Sequence, residues 1–76
     1  MVEFEIIKSE EIMFGNSNFI EVARKRAKTP ERENEFISLS RGFYMLDKQK
    51  RYRKSLTIPL SKEVIDFISE KIKEML

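Results

Sequence analysis

Three stretches of this chain alternate apolar and polar residues, and each is bounded by a short polar turn. Phe19 to Lys28 is the first, ended by Thr29-Pro30-Glu31-Arg32-Glu33-Asn34. Pro30 has no N–H to give a ladder, and Asn34 tolerates turn geometry. Phe36-Ile37-Ser38-Leu39-Ser40 alternates again and continues through Phe43 to Met45, and Asp47-Lys48-Gln49-Lys50 supplies the next turn. Tyr52 to Ile58 is the third, closed by Pro59. A period of two is the mark of a strand with two unlike faces. Connections this short join antiparallel neighbours, because a parallel pair needs a crossover of about a dozen residues. The sequence therefore predicts a β-meander.

A helix follows. Ser61 is a good N-cap, with Leu60 and Ile65 placed for a hydrophobic staple. From Lys62 onward there is no Gly or Pro, and Val64, Ile65, Phe67, Ile68, Ile72, Met75 and Leu76 recur at helical spacing. At about 100° per residue they cover about half the helix circumference, wider than packing on one sheet requires. The surplus is expected to bury against a second subunit through Val64, Phe67, Ile68, Ile72 and Met75. The small size argues the same way, since 76 residues make a marginal core and the absence of Cys removes disulfides as a support.

Before the first long strand, Val2 to Lys8 reads as another strand with Glu3 and Glu5 on its outer face. Ile12-Met13-Phe14 reads as a short strand or edge piece, and Gly15-Asn16-Ser17-Asn18 as a turn. The expected fold class is α+β: an antiparallel sheet of four to five strands with one C-terminal helix packed on one face, dimeric. Residues 1–76 form one domain, with an extra N-terminal strand in 1–10, the sheet in 11–60 and the helix in 61–76. Parity directs Ile20, Val22, Ile37, Leu39, Leu56 and Ile58 toward the helix as the buried face. The opposite face receives Glu21, Ala23, Lys25, Phe36, Ser38, Ser40, Arg53, Ser55 and Thr57, and reads as a polar contact surface.

Much chemistry is excluded by composition. With neither Cys nor His, thiolate and imidazole metal sites and a serine–histidine–carboxylate triad cannot be built within one chain. Gly15 and Gly42 stand alone, so no phosphate loop exists, and the carboxylates lack magnesium-site spacing. No catalytic residue, metal, cofactor or small-molecule substrate is expected. No apolar run approaches the roughly 20 residues of a membrane helix, and the N-terminus does not read as a signal peptide. A cytoplasmic protein is expected, and the prominence of Glu, Lys, Arg and Ile suits a thermophile.

The charge is unevenly distributed. Residues 19–54 hold eleven Lys or Arg against five carboxylates, a net of +6 within a chain whose total is +2. Residues 1–18 set Lys8 against four glutamates, a net of −3. Most of the positive charge lies in Arg24-Lys25-Arg26-Ala27-Lys28 and in Lys48-Gln49-Lys50-Arg51-Tyr52-Arg53-Lys54. Such clusters are often only a solvated surface, but two of them on neighbouring strands with aromatics between suit a polyanion. Cations neutralise phosphates and release counterions, while exposed rings stack on the bases of single strands. The candidate nucleic-acid-binding residues are Arg24, Lys25, Arg26, Lys28, Arg41, Lys50, Arg51, Arg53 and Lys54, with Phe43, Tyr44 and Tyr52 for stacking. A small dimeric adaptor docking an acidic protein, or an RNA-binding protein, would use the same positive groove.

The order of Ile12-Met13-Phe14-Gly15, the strand from Phe19, Phe36 through Phe43, and Arg53-Lys54-Ser55-Leu56-Thr57-Ile58 before a capped helix resembles a known family. It is similar to the C-terminal domain of the transcriptional coactivator positive cofactor four, over about residues 11–74. Plant whirly proteins and small archaeal single-strand-binding proteins use related topology. The resemblance implies a homodimer joined through terminal helices and sheet edges, whose basic β-ridges hold single-stranded or melted DNA with little sequence preference. Arg53 and Lys54 match a basic pair on the last strand, and Phe43 matches a family tryptophan. Shifting the register by one brings Arg41 onto the family's arginine and Tyr44 onto the tryptophan, but inverts the faces. The implied roles are genome protection or transcription, in the cytoplasm or at the nucleoid.

Overall fold

The computed structural model describes residues 2–76. Four strands, β1 (Glu3–Phe14), β2 (Asn18–Lys28), β3 (Glu33–Tyr44) and β4 (Lys50–Pro59), precede one helix, α1 (Lys62–Glu74). The strands lie in chain order, each antiparallel to the next, so the architecture is an α+β meander with a C-terminal helix. Gly15 makes the first turn at φ +62°, a conformation that costs a residue without Cβ little. In the β2–β3 turn, the Thr29 N–H donates to the Arg32 carbonyl and the Arg32 N–H donates to Thr29 Oγ1. Ser61 caps α1 as expected, its Oγ accepting from the Val64 N–H at 3.4 Å.

The N-terminal third differs from expectation. It is one twelve-residue strand running through the anticipated boundary at residue 10, and the sheet has four strands. Pairing with β2 shifts between Ile6 and Lys8, leaving Ile7 as a bulge. Such a bulge reverses the side-chain phase, so Phe4 and Ile6 share a face with Ser9, Glu11 and Met13. Met1 lies outside the described residues.

Parity assigns the faces of β2, β3 and the end of β4 correctly, but the bulge at Arg53 brings Tyr52 in its place onto the face of Ser55, and burial differs from expectation. Ile65, Ile68 and Ile72 lie over Val22, Ile37, Leu39 and Ile58, so α1 does sit on the expected side. That side is nevertheless the open one: Val22 is 48% exposed, Leu56 58% and Ile72 58%, and no residue of α1 is buried. The opposite, inner face holds Phe19 at 0% exposure together with buried Glu21, Ala23, Ser38 and Ser40. The expected polar contact surface is therefore where most of the burial occurs. Geometry explains this. A helix of 13 residues is about 20 Å long, and the molecule extends over 43 × 36 Å. One such helix cannot roof the sheet, whereas the inner face is covered by its own long side chains.

The result is an open slab. Its radius of gyration is 14.5 Å, against about 11 Å for a compact chain of this length. Its surface is 6600 Å², and a folded monomer of 9.1 kDa exposes about 4,900 Å², so about 1,700 Å² is in excess.

Gly42 lies beside the second bulge, where β3–β4 pairing shifts between Arg41 and Gly42. A Cβ there would come within 2.9 Å of Phe19 Cε1 and Cζ and would run into the Arg51 carbonyl. Gly42→Ala is therefore expected to destabilise the fold by about 2 kcal/mol or more. Urea unfolding of the variant beside the parent measures this, and an unchanged midpoint would mean that the β3–β4 bulge relaxes freely.

Candidate nucleic-acid interface

The sheet sorts its cations by register. Arg24, Arg26 and Lys28 alternate along the helix side of β2, and β1 and β3 bring glutamates to both flanks: Glu5 and Glu35 oppose Arg26, and Glu3 and Glu33 oppose Lys28. Arg24 is held firmly, with Nη2 2.8 Å and Nε 2.9 Å from Glu35 Oε1. Arg26 is held loosely, its contacts to Glu5, Glu33 and Glu35 measuring 3.6–3.9 Å and its Nε lacking a hydrogen-bond partner. Lys28 stands 3.9 Å from Glu5 and 3.7 Å from Glu33. The first basic cluster is thus largely a charge ladder closed on itself. Lys25 lies on the other face, opposite Ile6 and Phe36, with no carboxylate partner among the described residues.

Lys50, Tyr44 and Tyr52 belong to the inner-face core. The Lys50 ammonium donates to Glu11 at 2.7 Å and Glu21 at 2.9 Å, and lies 4.6 Å from the centre of the Phe19 ring. The Tyr44 hydroxyl donates to Glu11 at 2.6 Å, and Tyr52 donates to Glu21 at 3.2 Å. Both tyrosine rings stand 5.4 Å from Phe19. Tyr52 remains 55% exposed, so its ring is open to a ligand while its hydroxyl is fixed. Phe43 is half-buried beside Met13 and Met45, on the face opposite Tyr44. Sequence reasoning missed Glu11 and Glu21 as partners of Lys50. They are 39 and 29 residues away from it, and only the strand register brings them together.

The remaining candidates form a group of their own. Arg41 pairs with Lys54 across the β3–β4 ladder, Phe43 pairs with Arg51, and Arg53 is the extra residue of the bulge. All four basic residues are exposed and none has a carboxylate partner among the described residues. The Arg51 Nε–H donates to Met45 Sδ at 3.1 Å, a weak acceptor. β4 is an edge strand whose single neighbour presents Ser40, Arg41, Gly42 and Phe43 here, so nothing neutralises it. The expected dimer contacts divide between two flanks of α1: Ile68 and Ile72 line the gap toward the sheet, whereas Val64, Phe67 and Met75 point elsewhere, with Phe67 60% exposed. Among the described residues, no helix is long and apolar enough to cross a membrane.

The Lys50 cluster sets a pH dependence. Burial is the largest single influence on Lys50 and would lower its pKa, but the bonds to Glu11, Glu21 and Tyr52 together hold it well above the lysine range. The hydrogen bond from Lys50, and then that from Tyr44, draws Glu11 below its ordinary 4.5. Donating that bond in turn raises Tyr44 above 10.0. A depressed carboxyl contributes stability above its unfolded pKa and loses it as pH falls through the folded value. Glu11→Gln should therefore be less stable than the parent at neutral pH, with the difference shrinking below pH 4.5 and closing in stronger acid. Thermal melts across this range test it, and a pH-independent difference would mean that the Glu11 charge contributes nothing.

Comparison with models of known protein families, with characterised proteins and with solved structures finds no match to this chain.

Proposed function

We propose that this chain is a homodimeric, non-catalytic and sequence-tolerant binder of single-stranded DNA, acting in genome protection or transcription. The observation that carries the reading is the group of exposed, unpaired cations on the β3–β4 hairpin: Arg41, Arg51, Arg53 and Lys54. Unpaired cations can exchange counterions for phosphates, whereas cations in a ladder must first give up a carboxylate. Tyr52 lies between Arg51 and Arg53 with its ring half open, which suits base stacking beside phosphate contacts. The resemblance to positive cofactor four adds support through the same Arg53-Lys54 pair. The phosphate role therefore concentrates on β4 and Arg41, with Lys25 and the loosely held Arg26 next, and Lys50 is structural.

The dimer is supported by area. An excess of about 1,700 Å² per protomer is what an obligate dimer, burying 2,000–5,000 Å² in total, would remove. Exposed apolar side chains occur on both faces: Phe4, Ile6 and Met13 on the inner one, and Val22, Leu56, Phe67 and Ile72 on the helix side, where the wide apolar stripe of α1 adds to them and where we place the second copy. Phe67 makes a cleaner probe than Ile68, which faces the sheet within its own protomer.

Anisotropy of a labelled single-stranded oligonucleotide, titrated at several salt concentrations with duplex and RNA competitors, tests the binding. Tight binding that falls with salt and yields poorly to duplex is expected; no binding at low salt overturns the reading, and stronger competition by RNA moves the target to RNA. Arg53→Ala with Lys54→Ala should weaken binding of all sequences alike and flatten the log–log salt slope by about 1.4. Phe67→Glu should give a monomer by light scattering; a parent that is already monomeric would remove the interface.

A further inference from the structure

The inner face carries an open cup of about 430 Å³ at the end of the sheet away from Lys50. Phe4, Ile6 and Phe36 form its apolar walls. The two phenylalanine rings are 6.4 Å apart at 86°, so one presents its edge to the face of the other. They come from β1 and β3, and meet across β2 because Ala27, the neighbour of Phe4, is too small to separate them. Ser38, Ser55 and Thr57 supply the polar side, and Lys25 stands at the rim with no carboxylate partner among the described residues.

The hydroxyls have capacity to spare. Ser38, Ser40 and Ser55 form a triangle with Oγ separations of 3.4, 3.3 and 2.9 Å, so two of its three contacts are long. Each hydroxyl owns one donor and two lone pairs, and the triangle leaves half of the lone pairs unused. Ser38 and Ser40 are 3% exposed, which denies them most of the water that would otherwise serve. Ser55 and Thr57 are exposed on the edge strand, where Thr57 can turn toward a ligand and Ser55, bonded to Ser40, still has a lone pair to offer.

We infer that this cup receives one base of the bound strand, the ring packing against Phe4 and Phe36, its polar edge meeting the Ser55 and Thr57 hydroxyls, and Lys25 taking the adjoining phosphate. The inference rests on the single-strand reading above and extends it to a specific subsite. Apolar walls alone would suit an aliphatic side chain, and a lone lysine would suit any anion. Planar apolar faces, a polar edge and a neighbouring negative charge together are what a nucleotide presents. A hydroxyl rotates to donate or accept, so it answers the edge of every base, and the subsite holds a base without choosing among the four. Ser55 and Thr57 follow Tyr52 along β4, on the same face and about 10–16 Å away, so one strand can pass from the basic hairpin to the cup.

Two exposed-residue variants test the subsite, Phe4→Ala and Thr57→Val. The probes are a thymidine oligonucleotide, the same strand with abasic sites, and free thymidine 5′-monophosphate. The parent should bind the thymidine strand about fivefold or more tightly than the abasic one. Both variants should reduce that preference while keeping the parent's abasic affinity and salt slope, and the mononucleotide should shift the Ile6 and Thr57 methyl NMR signals. Variants that keep the full preference, or a parent that binds both strands equally, overturn the subsite and leave single-strand binding standing. If no strand binds but the mononucleotide shifts those methyls, the cup stands and the single-strand reading falls. If neither binds, both fall.

Discussion

The Lys50 ammonium, held between Glu11 and Glu21 above the Phe19 ring, ties the four strands into one curved sheet. Its partners come from everywhere in the meander: Glu11 from β1, Phe19 and Glu21 from β2, Tyr44 from β3 and Tyr52 from β4. A single-layer sheet has no second layer to exclude water from this face. Long side chains converging on one ring take that layer's place, and Phe19 is sealed although no backbone crosses above it. An ammonium is a demanding lid, because it loses solvation as it covers the ring. Two carboxylates compensate, and the carboxylates in turn accept from Tyr44 and Tyr52, so each buried polar end has a partner.

Closing the inner face this way determines where the functional surfaces can be. The helix is not needed there, and it lies on the other side, where it is too short to cover the apolar stripe beneath it. Charge follows from the same topology. A cation on β2 has a strand on either side, and both are acidic opposite Arg26 and Lys28. A cation on β4 has one neighbouring strand, which offers serine, glycine, a phenylalanine and another arginine. Two clusters of similar composition therefore have opposite electrostatic fates. Arg24, Arg26 and Lys28 of the first are spent inside the sheet, whereas Arg51, Arg53 and Lys54 of the second face solvent with no carboxylate partner among the described residues.

How much of this the sequence reveals depends on the range of the interaction. β2, β3, β4 and α1 are legible because alternation, turn residues and the Ser61 cap act within a few positions. Side-chain parity is legible too, since period two needs no partner. β1 is misread because the Ile7 bulge moves the inner-face positions from even to odd and the polar run Lys8 to Glu11 separates two apolar groups, so one strand looks like two. Burial is misread because apolarity points to Val22 and Leu56, whereas the buried positions are Ala23, Ser38 and Ser40, small residues overhung by neighbours. The cup is hidden for the same reason. Phe4 and Phe36 are 32 positions apart, and only the register across β2, with small Ala27 beside Phe4, brings their rings together.

The two faces also lessen a conflict that a protein this small would otherwise face. A partner subunit and a strand of nucleic acid both need exposed area, and one slab of this mass has little to share. Here the helix side carries Val22, Leu56, Phe67 and Ile72 with Arg41 and Lys54 beside them, while Tyr52 and the cup lie on the inner side of the same edge strand. A second copy seated on the helix side leaves the inner face untouched. Because counterion release grows with the number of phosphates contacted, the proposed dimer, by joining two β4 edges in one particle, would raise affinity for a long strand without any change in the contacts of either protomer. On this reading, dimerisation that stabilises a marginal sheet also gives the cations of the edge strand their reach.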